Sequence, residues 1–159
     1  MKKNIIYAIS GIIVGVILTI VILKQSFPGM MIQTFESKLD YPETVRMIEK
    51  NAAENGWAVA KIYNMEKRMR KAGFEDAARV KVIELCHATH TNDILSKEDD
   101  MFIAAIMPCR IAVYERKNGD VFISKMNIGL MSKFFSENVE EVMGQVAEED
   151  ERILEEIIK

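Results

Sequence analysis

The sequence predicts an α+β protein: a two-layer domain with a mostly antiparallel sheet and covering helices, preceded by one transmembrane helix. Three observations point there. Ile5 to Leu23 is an unbroken apolar run, two alternating runs meet at Asn118 and Gly119, and there are too few helical crossovers for a fully parallel sheet. At 159 residues the chain has room for one domain with a proper core.

The opening run, IIYAISGIIVGVILTIVIL, carries no charge. As a helix it measures about 28 Å at ~1.5 Å per residue, which matches a hydrocarbon core. Lys2 and Lys3 precede it and Lys24 alone follows closely, so the positive-inside bias predicts a cytoplasmic start and an exported body. A cleaved signal peptide ends at a small-residue site, and LKQSFPGMM offers none. The expected organisation is an anchor over 1–24, a linker over 25–30 broken by Pro28 and Gly29, and a folded domain over 31–159. This predicts a single-pass inner-membrane protein with its domain in the periplasm or outside the cell. Gly11 and Gly15 have the G-x-x-x-G spacing that lets two such helices pack as a homodimer.

All 24 acidic residues lie beyond Lys24, whereas Lys2, Lys3 and Lys24 are among the 21 basic ones. The body is therefore more acidic than the net charge of −3 suggests. That excludes nucleic acid as a partner, and no basic patch interleaved with aromatics offsets it. The run EKRMRKAG reads as a solvated helix face.

Within the body, MIQTFESKL alternates loosely and predicts a first strand. DYPETVRMIEKNAAENG predicts a helix: Pro42 suits the first turn, Val45, Ile48 and Ala52 recur at helical spacing, and Gly56 suits the position past the end. WAVAKIYNM is a second strand, with Trp57, Val59 and Lys61 opposed to Ala58, Ala60 and Ile62. MEKRMRKAG is a short helix. ARVKVIELC is a third strand, with Ile83 and Leu85 on one face, and TNDILSKED gives helical turns started by Thr91 or Asn92.

CRIAVYERKNGDVFISKMN predicts a hairpin, because Asn-Gly supplies positive φ at both centres of a type I′ turn. Beyond a further short helix, ENVEEVMGQVAEEDERILEEIIK repeats Val139, Val142, Met143, Val146, Ile153 and Ile157 at helical spacing. It predicts one long amphipathic helix over a sheet face.

The segment IELCHA, followed by MPCRIAVYERKNGDV, resembles the domain of unknown function 302 family. These are small bacterial and archaeal α+β proteins with a cysteine ending one strand, a Pro-Cys pair opening the next, and a glycine hairpin turn. The resemblance covers Phe35 to Ile158, with Cys86, Pro108 and Cys109 at the motif positions. His87 and Ala88 stand where the family commonly has Asn-Pro, His90 is extra, and Met107 replaces a more usual leucine. What the resemblance implies is a fold, since the family's activity is not established.

Cys86, His87, His90 and Cys109 are the only cysteines and histidines in the chain. Three readings compete for them. An exported even cysteine count fits a disulfide, worth roughly 3.5 kcal/mol in the chain-entropy model, and such a pair could also exchange with a redox partner protein. Thiolate, imidazole and thioether donors fit a soft metal or haem iron, which makes Cys86, His90 and Cys109 candidate cofactor ligands and adds His87 and Met107 to the metal set. Plain burial also fits, because free cysteine packs as a small hydrophobe. No nucleophile-and-base order, phosphate loop or H-E-x-x-H is present, so the sequence assigns neither an enzyme class nor a particular cofactor.

Overall fold

A computed structural model describes residues 2–159, with side chains from residue 11 onward. The side chains of the first part of the expected span, Ile5 to Ser10, lie outside the described residues. The chain divides into two units, Met1–Met31 and Ile32–Lys159.

The first unit is one helix, α1 (Lys2–Met31). Over Gly11–Met31 it is long and apolar enough to cross a membrane. Ile12, Leu18 and Ile22 are among its exposed side chains. The expected linker at 25–30 is helical instead, with Pro28 inside the final turn. Near a helix end a proline forfeits one backbone bond, and prolonging a helix that is already nucleated costs little.

The second unit runs β1 (Ile32–Glu36), α2 (Tyr41–Glu54), β2 (Ala58–Asn64), α3 (Met65–Lys71), β3 (Val80–Cys86) and α4 (Ala88–Leu95). A 3-10 segment over Glu98–Ile106 leads to β4 (Cys109–Glu115), β5 (Val121–Met126), the single-turn α5 (Ile128–Met131) and α6 (Glu137–Leu154). The strands form one sheet in the order β1-β5-β4-β3-β2, antiparallel at every pairing. The α+β expectation holds.

Alternation determines which face is buried. Ile83 and Leu85, Ile111 and Val113, and Val121 and Ile123 all lie at 4% exposure or less. They meet Val45, Ile48 and Ala52 of α2 and the Val139, Val146 and Ile153 stripe of α6 in one core. Asp40 starts α2, its Oδ1 accepting from the Glu43 N–H at 2.9 Å, and Gly56 ends it at φ 82°. Ser136 starts α6 by accepting from the Val139 N–H at 3.3 Å.

Four details differ from the sequence expectation. In β2 the register shifts between Val59 and Lys61, leaving Ala60 as the extra residue of a bulge. Strict alternation opposed Val59 to Ile62, whereas the bulge lets both pack on the core. The β4–β5 turn is not type I′, since no non-glycine residue among the described residues has positive φ. Gly119 alone takes it, at φ 89°, after a turn closed by the Gly119 N–H to the Arg116 carbonyl at 2.9 Å. Asn118 instead accepts from the Asp120 N–H at 3.2 Å, so its side chain rather than its backbone shapes the turn.

The third difference is that α4 begins at Ala88, ahead of Thr91. The fourth lies at the end of the chain. The long helix expected there stops at Leu154, and Ile158 bridges Ser37 while the Lys38 N–H donates to the Ile157 carbonyl at 2.8 Å. Those backbone groups find partners beside β1 in place of another helical turn.

One ion pair crosses the core. Lys125 lies on the buried face of β5, and its Nζ donates to Asp150 Oδ2 of α6 at 3.0 Å. Burial pushes the Asp150 carboxyl up, and Lys125 pulls it back. Lys125→Ala leaves that carboxylate buried and alone, so it should cost about 3–5 kcal/mol in chemical denaturation. Replacing both residues by Leu and Met should be near neutral. Equal losses in the two variants would mean that packing, not charge pairing, sets the cost.

Candidate functional site

The site forms at one rim of the sheet, where β3 ends. Ala58 pairs with Cys86 across β2–β3, and Leu85 pairs with Cys109 across β3–β4. Antiparallel pairing thus brings the end of one cysteine strand beside the start of the other. The Met107–Pro108 peptide bond leading into β4 is cis.

Beyond Cys86 the chain turns directly into α4, with His87 at the N-cap and no side-chain cap bond. The His87 carbonyl accepts from the Thr91 N–H at 3.0 Å, which sets His87 and His90 one helical turn apart on neighbouring positions. Their ring centroids are 4.4 Å apart. Trp57 packs on both, at 5.4 Å from His87 and 6.0 Å from His90. A Cβ at Gly56 would make only ordinary contact with His87 Nε2, at 3.4 Å, so the glycine answers to its φ of 82°.

The third wall comes from α6. Glu149 Oε2 accepts from Trp57 Nε1–H at 2.9 Å and pairs with His90 Nε2 at 3.0 Å. Burial works to raise the Glu149 pKa, but the hydrogen bonds from His90 and Trp57 outweigh it and hold the carboxyl below its ordinary value. An ionised carboxylate only accepts, so His90 donates its Nε2–H to Glu149, and in the neutral ring that leaves Nδ1 as the acceptor. Both His90 Nδ1 and His87 Nδ1 are buried with no hydrogen-bond partner among the described residues. Buried polar atoms are ordinarily satisfied, so two orphaned imidazole nitrogens on one turn mark a place built for something else. His87, His90 and Glu149 each offer a donor atom, all within 4.8 Å of one another.

His87 and His90 line a cavity of about 330 Å³, with Glu149 behind them. The structure brings all five sequence candidates, Cys86, His87, His90, Met107 and Cys109, to its lining. Both cysteines are free and half-buried. Cys86 Sγ lies 3.6 Å from Thr91 Oγ1. Burial, reinforced by Asp150 and Cys86, pushes the Cys109 thiol up to about 12.

Trp57 and Glu149 were not among the sequence candidates. Glu149 disappears into an acidic helix when charge alone is considered. Its signal is positional: from Val146 the apolar stripe of α6 steps to Glu149 and Asp150 before resuming at Ile153, so two carboxylates interrupt a buried face.

A five-stranded antiparallel sheet, covered by helices on the face that holds the core and with a donor-lined cavity at its rim, defines the class: a two-layer α+β domain. The chain belongs to the family described as domain of unknown function DUF302, which matches residues 33–157. Among solved structures it is similar to the uncharacterized conserved protein DUF302 from Bacillus stearothermophilus. That likeness has 16% identity and a TM-score of 0.71, covering 80% of this chain and 98% of the other. No curated protein matches the chain.

The thiol chemistry of the site is directly measurable. The thiolate is the nucleophile, and burial that pushes Cys109 up to about 12 leaves almost none of it deprotonated at pH 8. Iodoacetamide at pH 8 should leave Cys109 unmodified in the folded protein and alkylate it after denaturation, as read by peptide mass mapping. Rapid labelling of native Cys109 would contradict the burial described.

Proposed function

We propose that this protein is a membrane-tethered metal-binding module that holds a borderline-soft ion such as Zn²⁺ or Cu²⁺ at the turn between β3 and α4. The observation that carries the reading is the pair of buried, unpartnered Nδ1 atoms on His87 and His90, beside a carboxylate that already grips one of the two rings. His90 and His87 supply the nitrogen ligands; the donors already within 4.8 Å of one another are His87, His90 and Glu149, and Cys86 lines the cavity next to them. Glu149 stands behind His90, fixing its tautomer and raising its basicity, as carboxylate partners of metal-bound histidines do.

Cys109 has a different role in this reading. Burial holds its thiol protonated, which weighs against an attacking thiol and so against a dithiol exchange mechanism. The volume likewise favours an ion with a small companion over a haem macrocycle with its propionates.

The tether is α1. Its apolar stretch over Gly11–Met31 supports a membrane span, and Lys2 and Lys3 ahead of Lys24 support an exported domain. An alkaline phosphatase fused after Lys159 should then be active in cells, while a fluorescent protein that folds only in the cytoplasm should stay dark. The reverse pattern would place the domain on the cytoplasmic side.

The metal reading is tested by titrating the purified full-length protein with Zn²⁺ against a chromophoric chelator. One ion per chain is expected. Glu149→Gln should weaken binding roughly 10–100-fold, the usual cost of losing an outer partner. His90→Ala should lose more. Zn²⁺ binding that is absent, or unchanged in His90→Ala, would reject the site.

A further inference from the structure

A cation fills little of the space beside it. At about 30 Å³ per water the solvent-open cavity of about 330 Å³ has room for roughly ten waters. Its size falls at the low end of small-molecule sites, roughly 300–1,000 Å³. Its walls are mostly apolar: Trp57, Ile94, Leu95, Met107, Met143 and Val146 line it, from β2's entry, α4, the approach to β4, and α6. The polar donors, Cys86, His87, His90 and Thr91, come from one short stretch of chain. A tetrahedral ion held by His87, His90 and one further protein donor would keep an open position, as in sites that take a further ligand.

Building on the metal reading above, we infer that the cavity receives a small molecule with an apolar, ring-sized body and one metal-binding head group, the head closing the ion's open position. The apolar wall sets the body's class and the donor-bearing turn sets the head's. A fully solvated or polyanionic ligand does not suit this lining. Ligands with a thiol, hydroxamate or similar single donor on a hydrocarbon or aromatic body do.

Trp57 is the only tryptophan in the chain and lines the cavity, so its fluorescence reports occupancy without a label. The test uses full-length protein in detergent, with acetohydroxamate and benzohydroxamate as probes, each with and without Zn²⁺. Zn²⁺ occupancy is measured separately by chelator competition. With Zn²⁺ bound, benzohydroxamate should quench Trp57 saturably and at least tenfold more tightly than acetohydroxamate, because only its ring uses the apolar wall. Without Zn²⁺ that affinity should fall at least tenfold.

Equal affinities for the two hydroxamates on the Zn²⁺-loaded protein would overturn the inference and leave the metal reading standing. Benzohydroxamate binding equally well without Zn²⁺ would overturn the metal-anchored head. Failure of Zn²⁺ to bind at all is seen in the chelator arm, and it removes the metal reading together with the inference built on it.

Discussion

The Glu149 carboxylate is the point on which the site depends. One oxygen, Oε2, receives Trp57 Nε1–H and His90 Nε2–H at 2.9 and 3.0 Å, and so joins α6 to the entry of β2 and to α4. Two charge-assisted hydrogen bonds at a partly buried carboxylate hold that group ionised and orient both rings. With the Nε2 proton of His90 committed to Glu149, its Nδ1 has nothing to do in the folded chain. The chemistry of the site is what remains after that commitment.

The sheet supplies the placement. Antiparallel β2–β3–β4 pairing brings Ala58, Cys86, Leu85 and Cys109 to one rim, and the chain turns straight from β3 into α4 so that both histidines follow within a single turn. Leu85 and Ile94 anchor that rim in the core at no more than 1% exposure. The donors therefore sit on regular elements rather than on a long loop, which favours a fixed geometry. Deeper under α6, the Lys125–Asp150 pair meets the cost of burying a carboxylate one position beyond Glu149.

Much of this was legible from residue order. The apolar alternation of β3, β4 and β5, Pro42 in the first turn of α2, Gly56 beyond its end and the apolar stripe of α6 all act locally, so they can be read locally. Cys86, His87, His90, Met107 and Cys109 could be grouped because they cluster in sequence as well as in space. The features that escaped depend on distant partners. The bulge at Ala60 answers to β3 across the sheet, the Gly119 turn answers to hydrogen bonds within the loop, and Glu149 acquires its role only when α6 lies across Trp57 and His90. No local pattern marks the 3-10 path over Glu98–Ile106, whose Asp100 accepts from Ser136 and Asn138 at the start of α6.

Imidazole nitrogen NMR on the ¹⁵N-histidine-labelled full-length protein reads the central claim most directly. In the metal-free protein His90 should carry a proton on Nε2, and saturating Zn²⁺ should shift the Nδ1 signals of both His87 and His90 while that proton persists. A His90 ring with no proton on Nε2, or imidazole signals that ignore Zn²⁺, would contradict the account.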